Sequence, residues 1–454
     1  MEIVDRVCYV VVLGAIGIVY TMCSIILCKR CKDRPAYMGI SFGFILYYVI
    51  VPIYLLINMQ TFLNYELNCG YFCNDSINKH ILYNDNFGLV FIMIFIAGIF
   101  FNCSYFLPVK KGKNKKEKKF DKIKLVKNIM YLTLIFGGTS LVIFFYKFGG
   151  IFEALKYSEH LRSFSNNSSE IVGNANILII PARLVTATPF LLVYLNEFDK
   201  KNKNYYNKIL VISLILSALF YLYNAGRAPI IMFCLCFLYM FLKKRVKKTW
   251  TLIIILAVIS LPLLDVMDQL FVFFRYGTFK GININYTKYI YQFIYPFRNV
   301  LNINNITEQY GFRFFTDFVT SILDLLPKVE FEASYVNTSL YINGPDWKII
   351  GGIPNDFVTF GYIQLGGIGV MILSIFLGRI SKTLDCKIIN WSKSNVKMLY
   401  SAVLTVYGFS IINNSDFVSF IRGNMILIII SLIVYYIGEE KKTDENSICD
   451  INTN

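Results

Sequence analysis

Residues 87–127 read FGLVFIMIFIAGIFFNCSYFLPVKKGKNKKEKKFDKIKLVK, a run without charge up to Lys110 that is followed by ten lysines between positions 110 and 127. An α-helix needs about 20 apolar residues to cross a hydrocarbon core of about 30 Å. Basic loops remain on the cytoplasmic side of a membrane. This stretch therefore predicts a transmembrane helix and also the side of the membrane on which it ends.

The rest of the chain repeats this apolar pattern. Of its 454 residues, 56% are hydrophobic and only 16% are charged, whereas soluble domains carry about 25% charged residues. The first apolar run is too long for a signal-peptide core, so we interpret it as a span. We predict an all-α polytopic membrane protein with about 11 (10–12) transmembrane helices. The predicted spans are about 7–28, 39–58, 87–107, 128–147, 173–195, 209–224, 228–242, 249–264, 354–378, 398–413 and 421–438.

The distribution of charge predicts the orientation of these spans. Loops on the side of the lysine run hold 30 Lys/Arg against 11 Asp/Glu, and the opposite loops hold 15 against 18. We therefore predict an N-terminus outside and a cytoplasmic C-terminus. This topology explains the net charge of +16, so we expect no nucleic-acid partner.

One long segment, 265–353, interrupts the apolar runs. It holds seven Lys/Arg, is rich in Tyr and Phe, and contains no stretch that could span a bilayer. The charge distribution places it outside, where a large loop favours work on a substrate at the outer membrane face. The predicted organisation is an N-terminal bundle of about eight spans (1–264), this extracytoplasmic loop, about three C-terminal spans (354–438) and a cytoplasmic tail (439–454).

Two parts of this loop have a recognisable pattern. Over 311–330, apolar residues recur every three or four positions, which predicts an amphipathic helix with Arg313 and Asp317 on its polar face. Such a helix would lie along the membrane surface or pack onto the spans. The tyrosine-rich stretch 286–298, which ends at Arg298, fits an interfacial aromatic belt or a sugar contact.

Four arginines lie at or within the outer ends of predicted spans: Arg183, Arg227, Arg275 and Arg422. An arginine in a low-dielectric setting usually faces the interior of a bundle or a wet cavity. The alternative is a long side chain that reaches back to the interface, which accounts best for Arg275 and least for Arg183. The planar guanidinium group is suited to phosphate oxygens, so these arginines are candidates for binding an anionic head group.

Two other regions carry candidate chemistry. The predicted outer loop 148–172 holds Glu159, His160 and Arg162 close together, which fits either a solvated connector or a loop that grips an anion. Asp356 lies where the chain re-enters the membrane. It could be a general base, a salt-bridge partner or the N-cap of the next helix, and the N-cap is the most economical of these.

Cysteine and histidine usage predicts no metal site. The eleven cysteines lie mostly in or beside apolar runs, and the two histidines are too few for a histidine-based site. Cys69 and Cys73 share a predicted outer loop and could form a disulfide there. We expect no metal and no cofactor.

The layout resembles the bacterial O-antigen and capsule polymerases, or oligosaccharide repeat-unit polymerases. Three local features carry this resemblance: the small-residue turn Asn224-Ala-Gly-Arg-Ala-Pro229 between two spans, the re-entry segment Pro354-Asn-Asp-Phe-Val-Thr-Phe-Gly-Tyr-Ile-Gln-Leu-Gly-Gly-Ile-Gly369, and the spacing of Arg162 and Gly173 with ten residues between them. A second copy of that spacing, which some members have in the long loop, is absent.

The resemblance implies a reaction at the outer face of the bacterial inner (plasma) membrane. A glycan on undecaprenyl diphosphate is transferred to a new lipid-linked repeat unit, with no nucleotide needed. It also implies membrane lipid as surroundings and a chain-length regulator and a flippase as candidate partners. The implied bases are Asp356, Glu159 and Glu170, and the implied substrate-binding residues are Arg162, Arg183, Arg227, Arg422, Arg275, Arg298 and His160.

Three other functions remain open from the sequence. An O-antigen ligase would use the same donor and also have a large outer loop. A lipid-linked oligosaccharide flippase or other transporter would favour short loops and an internal repeat. A structural membrane subunit would leave the embedded arginines unexplained.

Overall fold

The protein's structure, a computed structural model, is almost entirely helical. It describes residues 3–30, 34–58, 87–107, 121–155, 177–224, 227–246, 248–278, 293–323, 333–344, 353–391 and 394–437. Helices make up 88% of it, and no strand occurs among the described residues. The predicted all-α fold is therefore confirmed.

The main helices follow the predicted spans one by one. Each predicted span overlaps one of α1–α8 or α13–α15, and α9–α12 lie in the predicted long loop. Their bounds are α1 (Ile3–Arg30), α2 (Pro35–Ile57), α3 (Phe87–Phe106), α4 (Lys122–Lys147), α5 (Ile179–Phe198), α6 (Lys203–Tyr223), α7 (Arg227–Lys243), α8 (Thr249–Tyr276), α9 (Tyr295–Leu301), α10 (Ile303–Tyr310), α11 (Asp317–Leu323), α12 (Ser334–Asn343), α13 (Phe357–Ile389), α14 (Asn395–Ile411) and α15 (Phe417–Ile437).

Length and composition identify membrane-spanning candidates among these helices. Within the described chain, eight helices are long and apolar enough to cross a membrane, namely α2–α6, α8, α13 and α15. Two shorter apolar helical stretches, Val7–Tyr20 and Ala228–Lys243, accompany them. The protein is therefore a multi-pass membrane protein.

The chain divides into two compact units, and each unit is assembled from three separate segments. Unit 1 contains Met1–Leu107, Asn285–Lys382 and Gly408–Ile421, and unit 2 contains Pro108–Ile284, Thr383–Tyr407 and Arg422–Asn454. The core of unit 1 combines aromatic and aliphatic side chains of α2, α3, α9 and α13, among them Tyr37, Phe44, Phe101, Phe297 and Val358.

Helix α2 contains one wide helical turn in which two tyrosine side chains are buried. Residues Leu46–Ile50 are π-helical, and such single wide turns inside α-helices often accompany functional sites. The side chains of Tyr47 and Tyr48 within this turn are fully buried. Buried tyrosines need hydrogen-bond partners. The Tyr47 hydroxyl accepts the Asn413 amide at 2.8 Å, and the Tyr48 hydroxyl donates to Asp356.

Helix α13 is two helices joined by a sharp break. Leu365 (φ −153°, ψ 33°) and Gly366 (φ 60°, ψ −146°) depart from helical geometry. In a straight helix Gly361 and Val370 would be about 13 Å apart along the axis, yet a Cβ added to Gly361 would lie 2.9 Å from Val370 Cα. The first part, ending at Gln364, therefore folds back onto the second through glycine contacts.

This break lies within the predicted span 354–378, and helix α13 as a whole is long and apolar enough to cross a membrane. The part that ends at Gln364 is short and lies inside unit 1, with Phe357, Val358 and Ile363 all buried. This span is therefore a broken helix instead of a continuous one.

The bounds of two other segments also differ from the sequence-based expectation. Helix α8 continues to Tyr276 instead of ending near residue 264, because apolar residues follow Asp265 and Gly277 (φ 69°) provides a left-handed C-cap. The helix predicted over 311–330 begins only at Asp317, because Phe314 and Phe315 have φ of 50° and 59°, outside the helical region.

Replacing Gly369 with alanine should destabilise unit 1. An added Cβ would overlap the carbonyl oxygen of Gly361, so the two halves of α13 would have to separate. We expect the free energy of unfolding to fall by about 1–3 kcal/mol, seen as a lower thermal midpoint of the purified full-length protein in detergent. Gly14→Ala is the control, because no atom lies within 4 Å of its Cβ position. Equal midpoints for both variants would contradict the contact.

Candidate functional site

Unit 2 contains a small cavity with two arginines, which we call the arginine pocket. Its lining residues are Arg183, Thr186, Phe220, Tyr221, Asn224, Pro229, Arg422, Gly423, Met425 and Ile426. Its volume of about 20 Å³ is enough for about one water molecule or one oxygen atom of a larger ligand. The pocket is formed by α5, α6, α7 and α15.

Arg183 reaches the pocket from an irregular turn of α5. Residues Arg183–Ala187 form a 3₁₀ turn inside this helix. The Arg183 side chain donates from Nη1 to the carbonyl oxygen of Arg422, and its guanidinium carbon lies 6.0 Å from the centre of the Phe220 ring. Its Nε–H is buried and donates to none of the described residues. A buried donor of this kind is costly to leave without an acceptor.

Arg422 comes from an irregular turn of α15. Asn424 (φ −117°, ψ 24°) interrupts that helix, and an interrupted helix leaves a carbonyl that needs another donor. The guanidinium of Arg183 supplies that donor to Arg422. The two arginines are therefore brought together by two adjacent defects in helical geometry.

The chemistry of the arginine pocket favours an anion. Arg183 and Arg422 line it together with Thr186, Tyr221 and Asn224, and none of its described lining residues is acidic. Guanidinium groups bind phosphate and carboxylate through paired hydrogen bonds.

Unit 1 contains a separate polar cluster around Asp356, at the start of α13. The Oδ1 atom of Asp356 accepts hydrogen bonds from the backbone N–H groups of Val358 and Thr359, both at 3.1 Å. The Tyr48 hydroxyl donates to the same oxygen at 2.5 Å. This is the geometry of a helix N-cap, so the N-cap interpretation is confirmed for this residue.

The side chain of Asp356 is fully buried. Its Oδ2 atom accepts no hydrogen bond of normal geometry from the described residues.

Asp416 repeats this arrangement at α15. Its Oδ1 accepts the backbone N–H of Ser419 at 2.8 Å, and its Oδ2 accepts the backbone N–H of Asn355 at 3.1 Å. The Asn355 side chain in turn accepts the Thr338 hydroxyl at 2.5 Å and donates to Ser334 at 2.9 Å. These bonds fasten α12 to the first residues of α13 and α15.

A third group of polar contacts holds the segment before α11 against the break in α13. The backbone N–H groups of Arg313 and Phe314 donate to the carbonyls of Ile363 and Gln364, both at 2.9 Å. The N–H of Phe315 donates to the Gln364 side chain, also at 2.9 Å. The break in α13 leaves the backbone carbonyls of Ile363 and Gln364 without donors from the helix itself. Residues of the predicted outer loop therefore supply these donors.

Asp317 locks this contact. Its carboxylate accepts the Gln364 amide at 2.6 Å, the Arg313 guanidinium at 3.2 Å and the Ser334 backbone N–H at 3.2 Å. It is only 1% exposed. The sequence pattern placed Asp317 on the polar face of a helix over 311–330. The helix begins at Asp317 instead, and the side chain is buried because Gln364, Arg313 and Ser334 surround its carboxylate.

The predicted site residues fall into different parts of the structure. Arg183 and Arg422 meet in unit 2, whereas Asp356 and the buried Arg298 belong to unit 1. Arg227 and Arg275 lie in α7 and α8, but their side chains are outside the described residues, and so are Glu159, His160, Arg162, Glu170, Cys69 and Cys73 entirely.

Several polar residues that the sequence analysis did not single out are buried. Asp265 lies within α8, is 3% exposed and has an Oδ2 atom with no hydrogen bond from the described residues. The apolar residues that follow Asp265 indicate that helix α8 continues past it, and this pattern could have predicted its burial. No such pattern indicated the burial of Tyr48, Gln364 or Asp416, because their partners are distant in sequence.

Comparisons with known protein families, with curated proteins and with solved structures find no match for this chain. The family resemblance therefore stays a prediction.

Asp317→Asn should loosen the segment that covers the helix break. The new amide N–H₂ would face the donors of Gln364, Arg313 or Ser334, and an unsatisfied buried polar group costs about 1–3 kcal/mol. We expect faster hydrogen exchange at the amides of residues 313–315 by mass spectrometry of the full-length protein. Asp121→Asn is the control, because it makes the same change at an exposed cap of α4. Unchanged exchange at 313–315 would contradict the lock.

Asp356→Asn separates a capping role from a chemical one. Asparagine caps helices as well as aspartate, and its Oδ1 can still accept from Tyr48 and the two amides. We therefore expect this variant to fold with the stability of the unchanged protein, whereas Asp356→Ala should lose about 0.5–2 kcal/mol of stability. A folded but inactive Asp356→Asn protein would show instead that the carboxylate takes part in the reaction.

Proposed function

We propose that this protein is an integral membrane glycosyltransferase that joins lipid-diphosphate-linked oligosaccharide repeat units into a surface polysaccharide. In this proposal it works at the outer face of a bacterial inner membrane, with the N-terminus outside and the C-terminus in the cytoplasm. The basic loops of the chain support that orientation. Its substrate is an undecaprenyl-diphosphate-linked glycan, and a chain-length regulator and a flippase are its proposed partners.

The observation that carries the proposal is the presence of two arginines, Arg183 and Arg422, in the lining of one cavity with no acidic group among its described lining residues. Arginine inside a membrane protein is costly and usually marks a substrate path. The pocket admits one oxygen of a phosphate group, and the rest of the diphosphate would lie outside it. The buried Nε–H of Arg183 has no acceptor among the described residues and is a donor ready for that oxygen.

The proposed chemistry follows from the charge of the leaving group. The acceptor hydroxyl of the incoming repeat unit attacks the anomeric carbon of the donor glycan, forms the new glycosidic bond and breaks the bond to the diphosphate oxygen. The hydroxyl proton passes to a carboxylate, for which Asp356, Glu159 and Glu170 are the candidates. Fixed cations stabilise the negative charge that develops on the lipid diphosphate. The driving force is the loss of this leaving group.

A second candidate function is transport of the same lipid-linked oligosaccharide. The observation that favours it is the broken helix α13, with its half-helix buried in unit 1. Discontinuous helices often form the substrate sites of secondary transporters. The long predicted outer loop supports the glycosyltransferase instead, since transporters of this kind more often have short loops.

Arg183→Ala should abolish long polymer. Removing one preorganised donor to a developing charge lowers turnover by about 100- to 1,000-fold. Arg183→Lys should also impair the protein, because a point charge cannot replace the planar fork. The measurement is the polysaccharide ladder on a gel, from cells in which the gene is replaced by each variant. Arg245→Ala, at an exposed position after α7, is the matched control.

The same cells distinguish the competing functions. Single repeat units at the surface indicate a polymerase, and intact lipid-linked polymer without surface attachment indicates a ligase. Lipid-linked units that accumulate on the inner leaflet indicate a flippase. Normal ladders from Arg183→Ala protein, at wild-type abundance in the membrane, would refute the proposed role of the arginine pocket.

A further inference from the structure

Unit 1 displays a short row of aromatic rings beside the break in α13, which we call the ring row: Phe312, Phe314 and Tyr362. The Phe312 ring lies 6.4 Å from that of Phe314 and 6.2 Å from that of Tyr362, centre to centre. Phe312 is 44% exposed and Phe314 is 66% exposed. Large apolar side chains that are exposed together often mark a binding surface.

The backbone that carries these rings is strained and firmly held. Phe314 and Phe315 have positive φ angles, which cost bulky residues free energy and persist only where the surroundings enforce them. The enforcing contacts are the three hydrogen bonds to Ile363 and Gln364 described above. The ring of Phe315 turns inward and stacks on Phe318, 5.9 Å away. The outward position of Phe314 is therefore built into the fold.

A polar rim adjoins the ring row along helix α10. The Tyr362 hydroxyl lies 3.5 Å from Asn304 Oδ1, and the Asn304 amide donates to Glu308 at 2.7 Å. Gln309 and Glu308 on the same helix are exposed. Amide and carboxylate groups thus stand next to apolar ring faces on one surface.

This composition decides which ligand class the surface suits. A sugar presents an apolar face of C–H groups and a rim of hydroxyls that both donate and accept hydrogen bonds. Aromatic faces match the first part, and amide and carboxylate groups match the second. Acyl chains would match the rings but would leave the exposed carboxylate of Glu308 in hydrocarbon, which is strongly unfavourable.

The position of the ring row agrees with a glycan ligand. Phe312 and Phe314 belong to the segment 265–353, which the charge distribution places outside. The Phe312 ring lies 3.8 Å from the Cβ position of Gly366, so the ring row lies beside the break in α13.

We propose that the ring row and the rim of Asn304 and Glu308 form a binding surface for the glycan of a lipid-linked oligosaccharide. The inference rests on the proposed function for the identity of the substrate. In this arrangement Phe312 and Phe314 pack against sugar C–H faces while the α10 side chains bind hydroxyls. The lock of Asp317 on Gln364 keeps the rings in position.

Binding can be measured without turnover. The probe is the repeat-unit oligosaccharide released by mild acid from the lipid-linked pool of the same organism. The measurement is saturation-transfer NMR with the full-length protein in nanodiscs of zwitterionic lipid. We expect the double substitution Phe312→Ala and Phe314→Ala to weaken binding at least about tenfold, because two aromatic contacts are lost. Substitution of both by Tyr should preserve it.

A matched control and a lipid test complete the experiment. Phe376→Ala removes an equally exposed ring (63%) from the second half of α13 and should leave glycan binding unchanged. Wild-type affinity in the Phe312→Ala/Phe314→Ala protein would overturn the proposal. Extra quenching by brominated acyl chains after Phe314→Trp would also overturn it, because the ring would then lie in the bilayer.

The outcome separates this inference from the proposed function. If the double variant binds glycan normally while polymer still depends on Arg183, the glycan surface alone is refuted. If glycan binding depends on the rings but Arg183→Ala protein makes normal polymer, the role of the arginine pocket alone is refuted.

Discussion

The structure depends on the fact that hydrocarbon offers no hydrogen bonds to a polypeptide backbone. A helix that begins or breaks inside a membrane protein must therefore find donors and acceptors for its unpaired groups within the protein. The first half of α13 meets this demand at both of its ends. The amides of residues 313–315 supply donors to the freed carbonyls, and Asp356 with Tyr48 supplies acceptors to the first amides of the half-helix.

The same demand explains the arginine pocket. The interruption of α15 near Asn424 leaves the Arg422 carbonyl in need of a donor, and the Arg183 guanidinium provides it. One donor of Arg183 is thus committed to the backbone while its Nε–H has no acceptor among the described residues. An arginine held in this way is preorganised, since a hydrogen bond within the protein fixes its position.

Buried polar groups of this kind are poor evidence for stability, because desolvation offsets much of what their hydrogen bonds contribute. Asp317 illustrates what they achieve instead. Its carboxylate selects one arrangement of Arg313, Gln364 and Ser334, and that arrangement decides where the exposed rings of Phe312 and Phe314 stand. The polar contacts of unit 1 therefore act mainly as positioning elements.

The sequence by itself determined the helical membrane fold, because apolar runs of bilayer length admit few other structures. It also favoured a cap role for Asp356 among three possible roles, since the residue directly precedes an apolar helical run. Other features were decided only by the tertiary structure. The fold-back at Gly361 and Gly369 lies inside a continuous apolar run. Ser334, Tyr48 and Arg422 lie 17, 308 and 239 positions from the residues that they contact, which are Asp317, Asp356 and Arg183. Periodicity reports which side chains share a face of one element, and only packing between elements brings such residues together.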